Sequence, residues 1–224
     1  MKHLLAAALL LLVSACAPVP FSRTELTPTT PRPATALTES LWSAGSGSLL
    51  VRQSALFELQ GLRVPLAGVM KLDLTHKEAR LVGMNDMGVK LYDLSVTATT
   101  SQTHFLIPEL AKYPGFGEAV ALSVRRIFLT PQPLASDALE RTATHYLLTR
   151  ESGEGGTLRF LFGGAAAQLL EKSAQGPAEA WRVRYYQYQA QAAGTLFPGG
   201  IVLDDERAGY RLTLWIESVE KSDE

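Results

Sequence analysis

The run Asp204-Asp205-Glu206 is the densest group of side chains able to hold a cation or move a proton. A calcium loop needs ligands spaced along the chain and a glycine at its sharp turn. These three are contiguous, so the run reads as a solvated turn between two strands. His76, His104 and His145 stand singly, one in a turn and two in strands, without the spacing that sets two metal ligands on one face. Ser43 and Ser46 lie in Ser43-Ala44-Gly45-Ser46-Gly47, which is not the Gly-x-Ser-x-Gly elbow of a hydrolase. Gly153-Glu154-Gly155-Gly156 precedes no helix that could help cradle a phosphate, and reads as a hairpin turn. The stretch from Trp181 to Tyr188 mixes aromatic and basic residues as a base-stacking surface does. However, Lys+Arg 21 against Asp+Glu 22, a net charge of −1, leaves no field to hold a polyanion. That stretch is better read as a strand with Trp181, Val183 and Tyr185 inward and Arg182 and Arg184 outward. No catalytic residue, metal, cofactor or nucleic-acid partner is expected.

The remaining chemistry is covalent attachment. Cys16, the chain's single cysteine, follows Lys2, His3, an apolar run over 4–13 and the small residues Ser14 and Ala15. A charged start, a short apolar stretch and a small-residue end make a secretory signal. Ten residues of helix rise about 15 Å, half of a hydrocarbon core of about 30 Å, too short for a permanent span. Leu12-Val13-Ser14-Ala15-Cys16 also resembles the bacterial lipobox, which implies removal of residues 1–15 and acylation of Cys16. Loss of Lys2 leaves 20 basic against 22 acidic side chains, a charge of −2. With its thiol blocked, the mature chain has no disulfide, thiolate nucleophile or Cys-ligated zinc. Ala17 stands where an Asp would resemble an inner-membrane retention signal, so the outer membrane, facing the periplasm, is the expected location.

Residues 16–40 carry five of the twelve prolines among Ser and Thr and are expected to form a solvated tether reaching about 3.1 Å per residue. A short helix is expected over 37–42. From there to residue 224 the sequence reads as one β domain. Period-two alternation predicts strands over 49–59, 66–74, 79–84, 89–96 and 103–107. Phe116, Val120, Val124, Ile127 and Phe128 then fall on one helical stripe, with Glu118, Arg125 and Arg126 off it, and Pro131 and Pro133 stop the helix. A second short helix is expected over 136–141. Strands return over 144–150, 157–162, 167–172, 180–189, 201–203 and 210–217. The class that follows is mainly β (α+β), about ten antiparallel strands with helices packed on one face.

Trp181-x-Val183-x-Tyr185-x-x-Tyr188, Pro198-x-x-Ile201-x-Leu203 and Tyr210-Arg211-Leu212-x-Leu214-x-Ile216 resemble the C-terminal half of the outer-membrane receptor of the bacterial lipoprotein localisation system. Pro65-Leu66-Ala67-Gly68, with an insertion at Ala67, and Arg80-Leu81-Val82 before Gly88-Val89-Lys90 resemble its N-terminal half. The chain also looks like a related, uncharacterised lipoprotein family found with aryl polyene pigment genes. The resemblance implies an unclosed antiparallel β-barrel whose helices form a lid over an apolar cavity, lined here by Phe116, Val120, Val124, Ile127, Trp181 and Tyr185. It implies a monomer that hands a hydrophobic or acylated cargo, received from a periplasmic carrier, to the outer membrane without covalent chemistry. It places a protruding membrane- or cargo-contact loop at Leu62, Val64 and Leu66, with Leu66 either at the tip or starting the next strand. Phe57-Glu58-Leu59 departs from the receptor's aromatic pair, which leaves the cargo open between lipoprotein, glycolipid and lipid-linked pigment. The alternative is a structural or assembly lipoprotein whose β domain binds an envelope protein.

Overall fold

The computed structural model describes residues 19–153, 155–191 and 196–222. Cys16, the signal segment and Glu154 of the glycine-rich turn lie outside the described residues. Among those described, alternation of apolar and polar side chains produces twelve strands: β1 (Ser48–Leu59), β2 (Leu62–Asp73), β3 (Glu78–Met84), β4 (Lys90–Val96), β5 (Ser101–Leu106), β6 (Ala138–Arg141), β7 (His145–Glu151), β8 (Thr157–Gly163), β9 (Gln168–Gln175), β10 (Ala180–Ala190), β11 (Leu196–Asp205) and β12 (Tyr210–Ser222). They form one antiparallel sheet, β5-β4-β3-β2-β1-β12-β11-β10-β9-β8-β7-β6, in which β5 and β6 are not paired with each other. The sheet is therefore two meanders joined where β1 pairs β12, an unclosed barrel. The chain between its two free edges is α2 (Pro108–Ala111), α3 (Phe116–Val124) and a π-helical turn over Arg125–Leu129. The helical segment thus links the two edges across the open side.

The concave face holds the main core. Val51, Met70, Leu72, Leu94, Leu148, Phe160, Val183, Ile201 and Leu203 are all fully buried there. A small second cluster of Phe21, Tyr186 and Val202, with Val19 and Trp215 against it, lies on the convex face. Val202 alternates with Ile201 and Leu203, which is why the two clusters fall on opposite faces.

Three expectations are corrected. Residues 136–141 are not a helix: Asp137 closes a turn by accepting the Leu134 N–H and the Arg150 guanidinium, and Ala138–Arg141 pairs with β7. Before β1, the helix is α1 (Ala34–Glu39), opened by Pro33 and anchored by fully buried Leu37. Residues 19–33 lack regular structure, as their prolines dictate, but they are not a solvated tether. Phe21 is buried between Tyr186 and Trp215. Further on, Thr29 and Thr30 bond to Thr142, Ala143 and Tyr146. Proline's fixed φ keeps such a segment extended and its missing N–H keeps it out of a ladder, yet nothing prevents the other side chains from packing.

Candidate functional site

The lid is built from the predicted stripe. α3 starts at Gly115, whose φ of 81° permits the abrupt entry, and crosses from β4 and β5 toward β10–β12. Phe116 packs edge-on against Tyr92, with ring centroids 5.7 Å apart. Val124 and Ile127 are buried in the main core, and Phe116 and Val120 pack against it partly exposed. Trp181 and Tyr185 are buried beneath the same segment, where the Tyr185 hydroxyl donates to the Ile127 carbonyl at 2.8 Å. The fold thus brings all six expected lid and cavity residues together. The lid itself, with Trp42 against Phe128 and Phe197, occupies the concavity. Two cavities among the described residues lie elsewhere, one of about 350 Å³ beside Pro31, Arg32, Pro33, Leu139 and Arg141 and one of about 130 Å³ on the convex face.

Arg125 and Arg126, expected off the stripe, are buried. The π turn brings them inward with Ile127, Phe128 and Leu129, and partners distant in sequence receive them. Arg126 donates to buried Asp205 and lies over the Trp181 ring, 5.2 Å from its centroid. Arg125 donates to Glu118 at 2.6 Å and to the Thr97 carbonyl at 3.0 Å. Asp204 accepts Arg184 and Arg211 on the sheet. Of the three contiguous carboxylates, Glu206 alone is the solvated turn residue expected from sequence. No signal local to residues 204–206 distinguishes them, because their partners come from β10, β12 and the lid.

The chain beyond the lid is held by polar side chains that capture its carbonyls. Gln132 reaches back to the carbonyls of Phe128 and Leu129, Arg150 donates to the Gln132 carbonyl at 2.9 Å, and Lys172 donates to the Pro131 carbonyl at 3.2 Å. Lys172 is fully buried, and desolvation brings its pKa down to about 7. The unfolded lysine keeps its proton up to its ordinary value, so this group makes the protein more stable as pH rises from about 7 to about 10.5. Lys172→Met is expected to raise unfolding free energy by about 3 kcal/mol near pH 6, after the lost hydrogen bond is deducted. The gain should shrink toward zero near pH 10. Urea denaturation at the two pH values checks this, and a pH-independent difference would contradict it.

Leu62, Val64 and Leu66 do not form a loop that leaves the sheet. Gln60 and Gly61, with φ of 48° and 85°, make a two-residue hairpin turn, and β2 runs straight on from Leu62 in register with β1. Pro65 is tolerated because alternate N–H groups point away from β1, and β3 pairs with β2 only from Ala67 onward. The hairpin therefore projects about five residues, roughly 17 Å, past its β3 neighbour. By period two, Leu62, Val64 and Leu66 share the concave face with Met70 and Leu72. Beside them lie Leu59, Phe57 and Ala55 of β1, then Tyr210 and Leu212 of β12. Phe57 packs on Tyr210 at 5.5 Å, and the Tyr210 hydroxyl meets Ser123 of the lid at 2.8 Å. An apolar strip thus runs from the lid's margin out to Leu62, which is 57% exposed. Missing from the sequence reading was the union of Phe57, Leu59 and Leu212 with the Leu62 region, since they meet only through the β1–β12 pairing.

An open antiparallel sheet curled around a helical lid, with an apolar concave face, is the architecture of the LolA/LolB-like fold, and this chain has that fold. No family model and no curated protein matches the chain. Among solved structures, it superposes on a LolA superfamily protein from Nitrosomonas europaea with a TM-score of 0.54 at 10% identity, covering 87% of this chain and 96% of that one. A domain assigned to outer-membrane lipoprotein sorting from Vibrio parahaemolyticus gives 0.53 at 8%, covering 84% and 89%. A DUF1329 family protein from Desulfovibrio piger gives 0.52 at 6%, covering 84% and 91%. At these identities the likeness is one of fold. Among the described residues no helix is long and apolar enough to cross a membrane.

Proposed function

We propose that the protein is an outer-membrane lipoprotein, anchored through acylated Cys16, that binds a hydrophobic or acylated cargo on its concave face and passes it to the membrane without covalent chemistry. The observation that carries this reading is the apolar strip from Ala55 and Leu66 to Leu62, continuous with the core beneath the lid but left uncovered by it. An acyl chain laid on the strip gains about 0.8 kcal/mol per buried methylene. It can extend inward only as the lid stripe yields its place. The lid is held by the apolar side chains it buries, Val124, Ile127, Phe128 and Leu129, as well as by hydrogen bonds to the sheet, so an acyl chain moving inward must replace those contacts with its own. The fold neighbours' names, LolA superfamily and lipoprotein sorting, support the same reading.

The non-acylated chain lacking residues 1–16 keeps Phe21 and Leu37, both core residues, and is the form to study. Native mass spectrometry of it should show co-purified lipid. Leu62→Glu should leave thermal stability within about 0.5 kcal/mol while reducing transfer of a fluorescent diacylated lipopeptide to liposomes at least several-fold. Equal transfer by an equally stable variant would remove the strip from the mechanism. The second reading, an assembly lipoprotein, draws on the exposed edge strand β6, which could accept a strand from another protein. An empty domain that pairs through this edge would favour it.

A further inference from the structure

The packed N-terminal segment has a consequence for how the domain meets a membrane. Val19 and Pro20 line the convex cleft together with Leu56, Glu58, Arg63 and Trp215. Three of those residues belong to the projecting β1–β2 hairpin. From there the segment runs across the convex face. Phe21 lies flat on Gly200, where a Cβ would come within 2.5 Å of the ring. Thr24 and Leu26 reach Gly164 and Gly163 at the β8–β9 turn, at the other end of the strands. Thr29 and Thr30 then bond at the β6–β7 turn, and α1 carries the chain onto the concave side.

Resting on the reading that Cys16 is acylated, we propose that residues 19–30 form a strap that binds the domain to the bilayer in one orientation, with the β1–β2 hairpin end against the lipid surface. Only two residues, Ala17 and Pro18, separate Cys16 from Val19, so the anchor lies within about 11 Å of Val19 even at full extension. From Glu58, which lines the same cleft as Val19, the hairpin turn is about 7 Å away, whereas Ser48 at the other end of β1 is about 33 Å away. Acyl chains held within that short reach enter the bilayer only if the hairpin end lies at its surface. Leu62, the strand's most exposed large apolar side chain, is then presented to lipid, and the concave strip opens at the membrane. The opposite end, with the β2–β3 turn at Thr75 and His76 and the C-terminal end of β12, faces away from the membrane. A prolyl tether free along its whole length would impose none of this.

The test uses the full acylated protein in vesicles of phosphatidylethanolamine and phosphatidylglycerol. An environment-sensitive fluorophore is placed by Leu62→Cys or, separately, by Thr75→Cys, the acylated Cys16 being unreactive, and quenching by nitroxide-labelled lipid is measured. Strong quenching at position 62 with little at position 75 is expected; equal quenching, or the reverse order, would overturn the proposal. Phe21→Ala, which frees the strap, should lower quenching at position 62 several-fold. Because that variant also touches the convex cluster, a flexible insertion of about 12 residues between Pro18 and Val19 serves beside it, adding reach of about 40 Å while leaving the packing intact. Unchanged quenching with the insertion would show that the strap does not orient the domain. Cargo binding by the non-acylated chain is measured separately, so a domain that binds lipid but shows no preferred end refutes the orientation alone.

Discussion

Asp205→Asn is expected to lower the unfolding free energy by about 3–5 kcal/mol, although it replaces one oxygen by nitrogen. Asp205 is buried and has two tasks. Its Oδ1 accepts the backbone N–H groups of Arg207 and Ala208 at 3.0 and 2.8 Å, which closes the β11–β12 turn, and its Oδ2 accepts Arg126. Asparagine can keep the first task. It cannot neutralise Arg126, which would be left as an uncompensated guanidinium between the lid and Trp181. If the loss comes from that stranded charge, Arg126→Met in the Asp205→Asn background should restore more than half of it. Arg126→Met alone should be costly too, for it strands the carboxylate. A double-mutant cycle by urea denaturation measures the coupling, and additive losses would show that the pair does not act as a unit.

Val124→Asp is expected to cost about 4 kcal/mol. Val124 is 4% exposed and packs in the main core at the end of α3. The substitution gives up the burial of a valine, about 1.5–3 kcal/mol, and adds a carboxyl without a partner. The desolvated carboxyl will have a raised pKa. The native state then holds a proton that the unfolded state releases above about pH 4, so the loss should grow as pH rises from there. Leu122→Asp, on the lid's exposed side, is the control and should stay within about 1 kcal/mol. Equal effects at the two positions would mean that α3 does not present its apolar stripe to the sheet. Lipid retention should fall with Val124→Asp, because the new carboxyl stands on the apolar face that an acyl chain would share.

The two variants probe features of different legibility. The stripe containing Val124 was readable, since side chains three and four residues apart share a helix face whatever else the chain does. The Arg126–Asp205 pair was not. On a regular helix Arg126 falls off the stripe, and the π turn that brings it inward is stabilised by a carboxylate 79 residues away. Likewise, Tyr188 follows the inward residues Trp181, Val183 and Tyr185 out of phase, yet its hydroxyl reaches the Leu169 carbonyl. Gln187 before it has a φ of 52°, a backbone twist that alternation does not encode.

The amino-acid sequence by itself determined the antiparallel strands, the single amphipathic helix stopped by Pro131 and Pro133, and the turns that separate them. These rest on side-chain period, proline's missing N–H and turn chemistry, all local in the chain. Tertiary structure decided whether residues 136–141 would be helix or edge strand, because both patterns fit four residues and the pairing of Leu139 with Leu148 selects one. It also decided that Leu62, Val64 and Leu66 stand on a strand, since Pro65 is compatible with β2 only where β3 is absent. Most consequentially, it decided that residues 19–30 pack along the sheet, with Phe21 buried, where a free tether was expected. The groove that receives Phe21 is made by Tyr186, Gly200, Val202 and Trp215, residues that become neighbours only when β10, β11 and β12 pair. A segment without secondary structure carries no periodic signal of its own, so its place is set by the surface it finds.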